Sequence, residues 1–482
     1  MTHPERLRFA PSPTGHLHIG NARTALFNFL YARKHEGVLV LRIEDTDMER
    51  SVPLYEESLI DALHWLHIVW EEGPDRGGPH GPYRQSERQE WYKEYSRKLL
   101  DEGRAFLCYC TEQELQTYRG AMLRDGKAPR YPGKCRELTA KQRQDAERKG
   151  RVPCVRYRVP VDRDIRFDDA IHGPMAFRSE EIGDFVLVRS TEIPAYNFSA
   201  VIDDRLMGVT TVIRGEDHLP NTPRQLLLFQ EFGWEPPRYA HHALLTGPDR
   251  TKLSKRYGVT SVEAFREMGI LPDALVNYLA ILGGPPVAGR EVFSLQELIE
   301  SFSIEKAGRS SLVFDQQKLM WLNQQHLKLL APGRQIEAML PFLEDAGCRV
   351  SDHPREWLEK FAGLIVENIQ RLQDIHIFAP MFFKPMVDYA PSVQELLRDE
   401  KVRGIIGDVH ACLKACPPNG EEEIADLMRR VQRDLGLTQK EFSMPVRLAV
   451  TGMDHGPELD RILPLLSLET IRRRLEAALA LF

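Results

Sequence analysis

Between Leu7 and Ile43 the chain reads strand, loop, helix, strand, and that order limits the fold more than any other feature of the sequence. Leu7 to Ala10 is a short strand-like run, and Pro11-Ser12-Pro13-Thr14-Gly15 after it forbids regular structure. From Ile19 to Arg33 the residues Ala22, Ala25, Leu26, Phe29 and Leu30 recur at i, i+3, i+4, i+7 and i+8, which is one buried helix face. Val38-Leu39-Val40-Leu41-Arg42-Ile43 follows as a nearly continuous apolar run, the pattern of a parallel strand covered on both faces. A βαβ unit of this kind predicts a doubly wound α/β domain that binds its ligand at the carboxyl edge of the sheet.

The stretch from about Asp101 to Ile193 breaks the rhythm and reads as an insertion. It holds close cysteines, a basic linker around Lys141 to Arg151, and strand-like runs at Val155–Val159 and Phe185–Val188. Alternation returns at Tyr196–Ile202 and Thr210–Ile213, and Thr222-Pro223 opens a helix that ends before Gly233. Beyond about Leu312 strand signals stop. Leu319–Leu330, Gln335–Ala346, Glu356–Ile375, Ser392–Ala415, Glu421–Leu435 and Leu468–Leu481 all read as helices, so the last third is expected to be all-α.

Composition narrows the function classes. The 482 residues carry 64 Lys plus Arg against 70 Asp plus Glu, a net charge of −6, so a nucleic-acid partner must meet a local basic face rather than a basic protein. No segment approaches the ~20 apolar residues of a membrane helix. The start, Met1 to Arg6, is polar and lacks the apolar core of a signal peptide. The cysteines number seven, an odd count, and Cys108-Tyr109-Cys110 is too tight for easy bridging, so reduced thiols in a cytoplasm are expected.

Two segments stand out as chemistry. Arg8 to Asn21 leaves the first strand and enters the first helix, whose N-terminal N–H groups favour phosphate. His18 stands at the helix entrance, and Gly20 would let a flat base or ribose approach the backbone. Lys252-Leu253-Ser254-Lys255-Arg256 follows the turn Thr246-Gly247-Pro248-Asp249-Arg250 and could clamp a polyphosphate. Taken singly, each is as readily a surface βα turn or a solvated basic loop.

Together they resemble the HIGH and KMSKS signatures of class I aminoacyl-tRNA synthetases, with His18-Ile19-Gly20-Asn21 as the first and Lys252 to Arg256 as the second. Arg42-Ile43-Glu44-Asp45-Thr46-Asp47, Arg214-Gly215-Glu216-Asp217-His218, Asn221-Thr222-Pro223-Arg224-Gln225 and the helix around Phe314-Asp315 to Asn323 extend the resemblance, in order and spacing, to bacterial glutamyl-tRNA synthetase over nearly the whole chain. The departure is Asn21 in place of the last His of HIGH.

The resemblance implies a Rossmann-type catalytic domain in two halves, residues 1–100 and 196–245, with an α+β insertion at 101–195 that meets the tRNA acceptor end. It implies a KMSKS-loop and stem-contact region at 246–325 and an α-helical anticodon-binding domain at 326–482. Arg8, Ser12, Glu44, Tyr196 and Arg214 would form the pocket for L-glutamate: arginine forks for its carboxylates and a carboxylate for its ammonium. A neutral amide would leave an arginine poorly paired, which argues against glutamine as substrate. ATP, with Mg²⁺, would lie between the signatures, against His18, Gly20, His218, Ala243, Leu244, Leu245, Lys252, Ser254 and Lys255. His18, Lys252 and Lys255 would act on the phosphates by position and charge. The family also implies a monomer, and activation that requires bound tRNA.

Cys108-x-Cys110-(x)₂₄-Cys135-x-Glu137 is similar to the zinc site of some bacterial members, with Glu137 where His is usual; a carboxylate can serve as fourth ligand. Free thiols without a metal are the alternative. Arg429, Arg430, Arg433, Arg447 and Arg472-Arg473-Arg474 are candidate phosphate contacts of the C-terminal domain. Whether tRNA(Gln) is charged along with tRNA(Glu) stays open, as does a non-catalytic tRNA-binding paralogue on the same scaffold.

Overall fold

The computed structural model describes residues 4–47, 51–126, 128–251, 253, 260–283, 289–415 and 421–481. It divides into two compact units, residues 1–265 with 275–315, and residues 266–274 with 316–482.

The first unit opens as the sequence predicts. Strand β1 (Arg6–Phe9) pairs in parallel with β2 (Val38–Leu41), and the helix Ile19–Lys34 crosses between them. That helix starts at His18, whose Nδ1 accepts from the Gly20 N–H at 3.1 Å, and ends on Arg33 and Lys34, which suit the negative end of the helix dipole. Its apolar face, Ala22, Ala25, Leu26, Phe29 and Leu30, is buried as expected.

Residues 101–195 do not form one separate lobe. Strands β3 (Ala105–Cys108), β4 (Cys154–Tyr157) and β7 (Val186–Val188) make an antiparallel sheet of their own. Between them β5 (Asp164–Asp169) and β6 (Gly173–Arg178) form a hairpin that joins the catalytic sheet, in the order β6-β5-β9-β8, with β8 (Thr211–Gly215) and β9 (Arg238–His242) parallel. The contact is made at Asp169 beside Tyr239, where the Ala170 N–H donates to Tyr239 O at 2.9 Å. At the other side, Thr210 N donates to Arg6 O at 2.9 Å, bringing β8 to β1. The short strands β10 (Leu245–Thr246) and β11 (Leu312–Val313) pair in parallel.

Two expectations for this unit need correction. The basic stretch at 141–151 is not an extended linker: Ala140–Arg148 is a helix, nucleated by a capping box in which Thr139 and Gln142 satisfy each other's N–H groups. Tyr196–Ile202 is no strand but the start of the helix Tyr196–Leu206. Phe198, Val201 and Ile202 share a helix face, and Ser199, Asp203 and Asp204 are buried on the other side, so burial all round hid the period.

The second unit is helical, through Gln316–Leu329, Pro332–Asp345, Arg355–Ile365, Ile375–Phe383, Pro391–Leu397, Glu400–Ala415, Glu421–Asp434, Gln439–Thr451 and Leu468–Leu479. Two predicted long helices are each broken in two. Asp399 ends one piece and caps the next, accepting from the Lys401 and Val402 N–H groups at 2.9 and 3.1 Å. Asn323 takes up the loose backbone of the other break, donating to Gln370 O at 2.7 Å. The helix Gln439–Thr451 escaped sequence reading because Pro445 sits inside it. Arg474 is withdrawn from the candidate phosphate contacts: it is fully buried and donates to the carbonyls of Val450 and Lys384. Arg429, Arg430 and Arg433 are exposed on one helix. No described helix is long and apolar enough to cross a membrane.

Candidate active site

The carboxyl ends of β1, β2, β8 and β9 open into a cavity of about 480 Å³. Arg8, Ser12, Glu44, Tyr196 and Arg214 line it together, and so do His18, Gly20, His218, Ala243, Leu244 and Leu245. Every described residue that the resemblance assigns to glutamate or nucleotide therefore faces one space. Lys252, Ser254 and Lys255 lie outside the described residues. Of their described neighbours, Leu253 lines the cavity, and after them Ile19 N donates to Thr260 O and Val262 N donates to Leu17 O, both at 2.9 Å.

Behind Arg8 and Glu44 a buried ion network fixes the arginines. Asp204 accepts from Arg42 Nη1 at 2.6 Å and Arg8 Nε at 3.2 Å, and Arg42 Nη2 donates to Glu44 at 3.1 Å. Burial works to raise the Asp204 carboxyl, yet Arg8 and Arg42 hold it below the usual carboxylate range. Burial pushes Glu44 up instead, against the pull of Arg42 and Arg8. Next to this lies Asp203, fully buried, which takes Arg88 Nε at 2.6 Å, Gln85 Nε2 at 2.8 Å and Tyr92 Oη at 2.8 Å. Arg214 is held by three donations, from Nε to His241 Nε2 (3.1 Å), Nη1 to Tyr196 Oη (3.3 Å) and Nη2 to Thr222 Oγ1 (2.9 Å). These three donations use three of the five guanidinium N–H groups.

Arg23, Thr24 and His242, which the sequence reading missed, also line the cavity. Arg23 is buried, and Nη1 donates to Ala243 O at 2.8 Å while Nη2 donates to Leu282 O at 2.9 Å. Burial pushes it down to about 9, so it still carries its charge at neutral pH. Burial and Arg23 push His242 down to about 3, and its Nε2 meets Thr24 Oγ1 at 2.9 Å. Burial, then Arg214, push His218 down to about 4, so both imidazoles are neutral. Arg23 sits in the apolar periodicity of its helix without breaking it, so no local signal marked it.

The cysteines gather only in part as expected. The sulfurs of Cys108, Cys110 and Cys135 lie within 4.8 Å of one another, with Cys110 and Cys135 3.6 Å apart. Thiolates about 2.3 Å from a tetrahedral zinc would be about 3.8 Å apart, so the spacing fits that ion. Glu137 does not join them: its side chain is 82% exposed and pairs with Arg158 at 2.5 Å. Arg158, which also donates to Arg136 O at 2.8 Å, is the partner that Glu137 meets instead. The oxygen beside the thiols belongs to Tyr131, at 3.4 Å from Cys108 Sγ and 3.8 Å from Cys110 Sγ.

Comparison with known proteins covers the whole chain. A family model described as tRNA synthetases class I (E and Q), catalytic domain, matches residues 5–321, and one described as an anticodon binding domain matches residues 334–479. A glutamate–tRNA ligase 2 of Syntrophus aciditrophicus is 46% identical over 98% of this chain and 97% of its own length. A glutamate–tRNA ligase of Carboxydothermus hydrogenoformans is 44% identical, over 98% of each. Among solved structures, a glutamate tRNA ligase of Elizabethkingia meningosepticum in complex with its amino acid superposes with a TM-score of 0.88 at 31% identity, over 99% of this chain and all of that one.

Proposed function

The chain belongs to the class I tRNA synthetases of the glutamate and glutamine branch, and we propose how its own residues perform the work of a glutamate–tRNA ligase. Such a ligase joins a glutamate carboxylate oxygen to the α-phosphate of ATP, with pyrophosphate leaving. A hydroxyl of the terminal tRNA ribose then takes the glutamyl group from the resulting adenylate, forming an ester as AMP leaves. One observation carries the assignment of roles: the arginine forks, the carboxylate and the HIGH-like loop all line one cavity.

Arg8 and the two remaining N–H groups of Arg214 would bind the carboxylates of glutamate, and Glu44 would accept from its ammonium, with Ser12 and Tyr196 as neutral partners. Because His18 Nδ1 accepts from Gly20, its ring proton sits on Nε2, the form that donates to a phosphate oxygen. Lys252 and Lys255 would meet the charge that builds on the leaving pyrophosphate, and Mg²⁺ would enter with ATP. Gly20, Ser254, Leu244, Leu245 and His218 would frame the nucleotide. The exposed Arg429, Arg430 and Arg433 would hold tRNA phosphates in a cytoplasmic, monomeric enzyme.

The test is charging with labelled glutamate of purified tRNA(Glu) and tRNA(Gln) in separate tubes. Label on tRNA(Glu), abolished by Lys255→Ala, is the expected result; label on tRNA(Gln) as well would make the enzyme non-discriminating. Folded protein that labels neither with ATP and Mg²⁺ present would overturn the assignment.

Cys108, Cys110 and Cys135 would hold a structural zinc ion through three thiolates, without Glu137. Zinc there would fasten the loop before Cys135 to the end of β3. Protein purified without chelator is expected to carry about one equivalent of zinc, and Cys135→Ser to lose it. Metal analysis that finds less than about a tenth of an equivalent in normally folded wild type removes the metal from the account.

A further inference from the structure

Asp169 ends β5, in the hairpin contributed by the insertion, and His241 lies on β9 of the catalytic sheet. Their side chains are fully buried, with Asp169 Oδ2 2.6 Å from His241 Nδ1. The other oxygen, Oδ1, accepts from the Ile171 and His172 N–H groups, each at 2.9 Å, so the carboxylate cannot swing away. Burial works to raise Asp169, but His241 and those two N–H groups hold it below the usual range, and it stays ionised. An ionised carboxylate only accepts, so the imidazole proton sits on Nδ1 and Nε2 is a lone-pair acceptor. That lone pair faces Arg214 Nε at 3.1 Å and the Thr222 hydroxyl at 3.0 Å. Arginine can only donate, so the contact exists in this tautomer alone. His241 itself does not line the cavity.

We propose that Asp169 and His241 are a positioning dyad for Arg214: the insertion, through Asp169, sets the tautomer of His241, and His241 fixes the guanidinium that receives glutamate. The inference rests on the reading of Arg214 as a glutamate contact. It ties the hairpin of the insertion to amino-acid binding without any contact between that hairpin and the amino acid.

The isosteric change Asp169→Asn tests it. The amide oxygen is needed by the Ile171 and His172 N–H groups, so its NH₂ must face Nδ1. The imidazole then takes the other tautomer and turns an N–H toward the N–H of Arg214; a wrong tautomer in a correct geometry is enough to disable a site. The KM for glutamate is expected to rise about tenfold or more, one lost hydrogen bond to a charged group, with the KM values for ATP and tRNA unchanged. Ring ¹⁵N NMR is expected to show the proton moved from Nδ1 to Nε2. His241→Gln, whose amide oxygen can accept from Arg214, is expected to bind glutamate better than His241→Leu, and this pair carries the test if Asp169→Asn does not fold. A glutamate KM at the wild-type value in Asp169→Asn, equal behaviour of the two His241 variants, or KM values rising alike for all three substrates would reduce the dyad to packing. Failure of the ligase assignment is a separate result, since wild type would then charge nothing. Failure of the Arg214 role is separate again, since Arg214→Gln would then leave the glutamate KM unchanged.

Discussion

Arg214→Gln is expected to lower kcat/KM for glutamate charging about a thousandfold in a protein that still folds. Arg214 is 4% exposed and is pinned from three sides, by His241, Tyr196 and Thr222, so its remaining N–H groups are aimed before any ligand arrives. Binding a carboxylate there replaces water with two charge-assisted hydrogen bonds, each worth about 1.5–3 kcal/mol. Losing both and the charge amounts to about 4 kcal/mol, close to three powers of ten. Stability suffers less, because the His241 Nε2 keeps the Thr222 hydroxyl as donor at 3.0 Å. Arg214→Lys is expected to recover little, since an ammonium cannot span three partners and a carboxylate at once. Steady-state charging kinetics with glutamate and ATP varied separately make the check. The effect belongs in the glutamate term, and a loss below tenfold would remove Arg214 from substrate binding.

Asp203→Ala is expected to destabilise the first unit by about 3–5 kcal/mol, the usual consequence of stripping one partner from a buried ion cluster. Arg88 loses its 2.6 Å partner, and Gln85 and Tyr92 lose an acceptor in the same place. Arg42, 4.0 Å from this carboxylate and fully buried, keeps Asp204 and Glu44 as its carboxylate partners. The melting temperature is expected to fall by about 10 °C. Asp203→Asn keeps one acceptor oxygen and is expected to fall by less. Thermal unfolding followed by circular dichroism reads both, and a shift of less than about 2 °C for the alanine variant would contradict a structural hub at this position. Because Arg42 also carries Glu44, the glutamate KM is expected to rise with the loss of stability.

Much of this site could be read from the chain because its residues are local to motifs. Arg8, Ser12, His18 and Gly20 follow one strand in unbroken order, and Arg214 and His218 leave another. What escaped depends on distance along the chain. Asp169 and His241 are 72 residues apart, and nothing in either segment announces the other. Strands β5 and β6 alternate only over Ile165 and Phe167 and over Met175 and Phe177, runs too short to announce a hairpin that joins the catalytic sheet. The helix Tyr196–Leu206 was misread for the opposite reason, burial on every side. Glu137 has the spacing of a fourth ligand but turns to Arg158, and the oxygen beside the thiols, that of Tyr131, is held by ring packing under the Arg156 guanidinium at 4.2 Å and by the Cys135 N–H it accepts at 2.8 Å.

The hairpin β5–β6 also decides how this enzyme can be cut. Residues 101–195 look like a cassette, flanked by the two halves of the catalytic fold, and a designer seeking a minimal activating core would excise them. Excision would strip β9 of a neighbour and leave its outer edge open, a template for pairing with other chains. A trimmed enzyme must therefore keep residues 164–178. The three-stranded sheet of β3, β4 and β7 cannot be lifted out either, because Ala105, Tyr157 and Leu187 are buried in one core with Phe198, Val201 and Leu228.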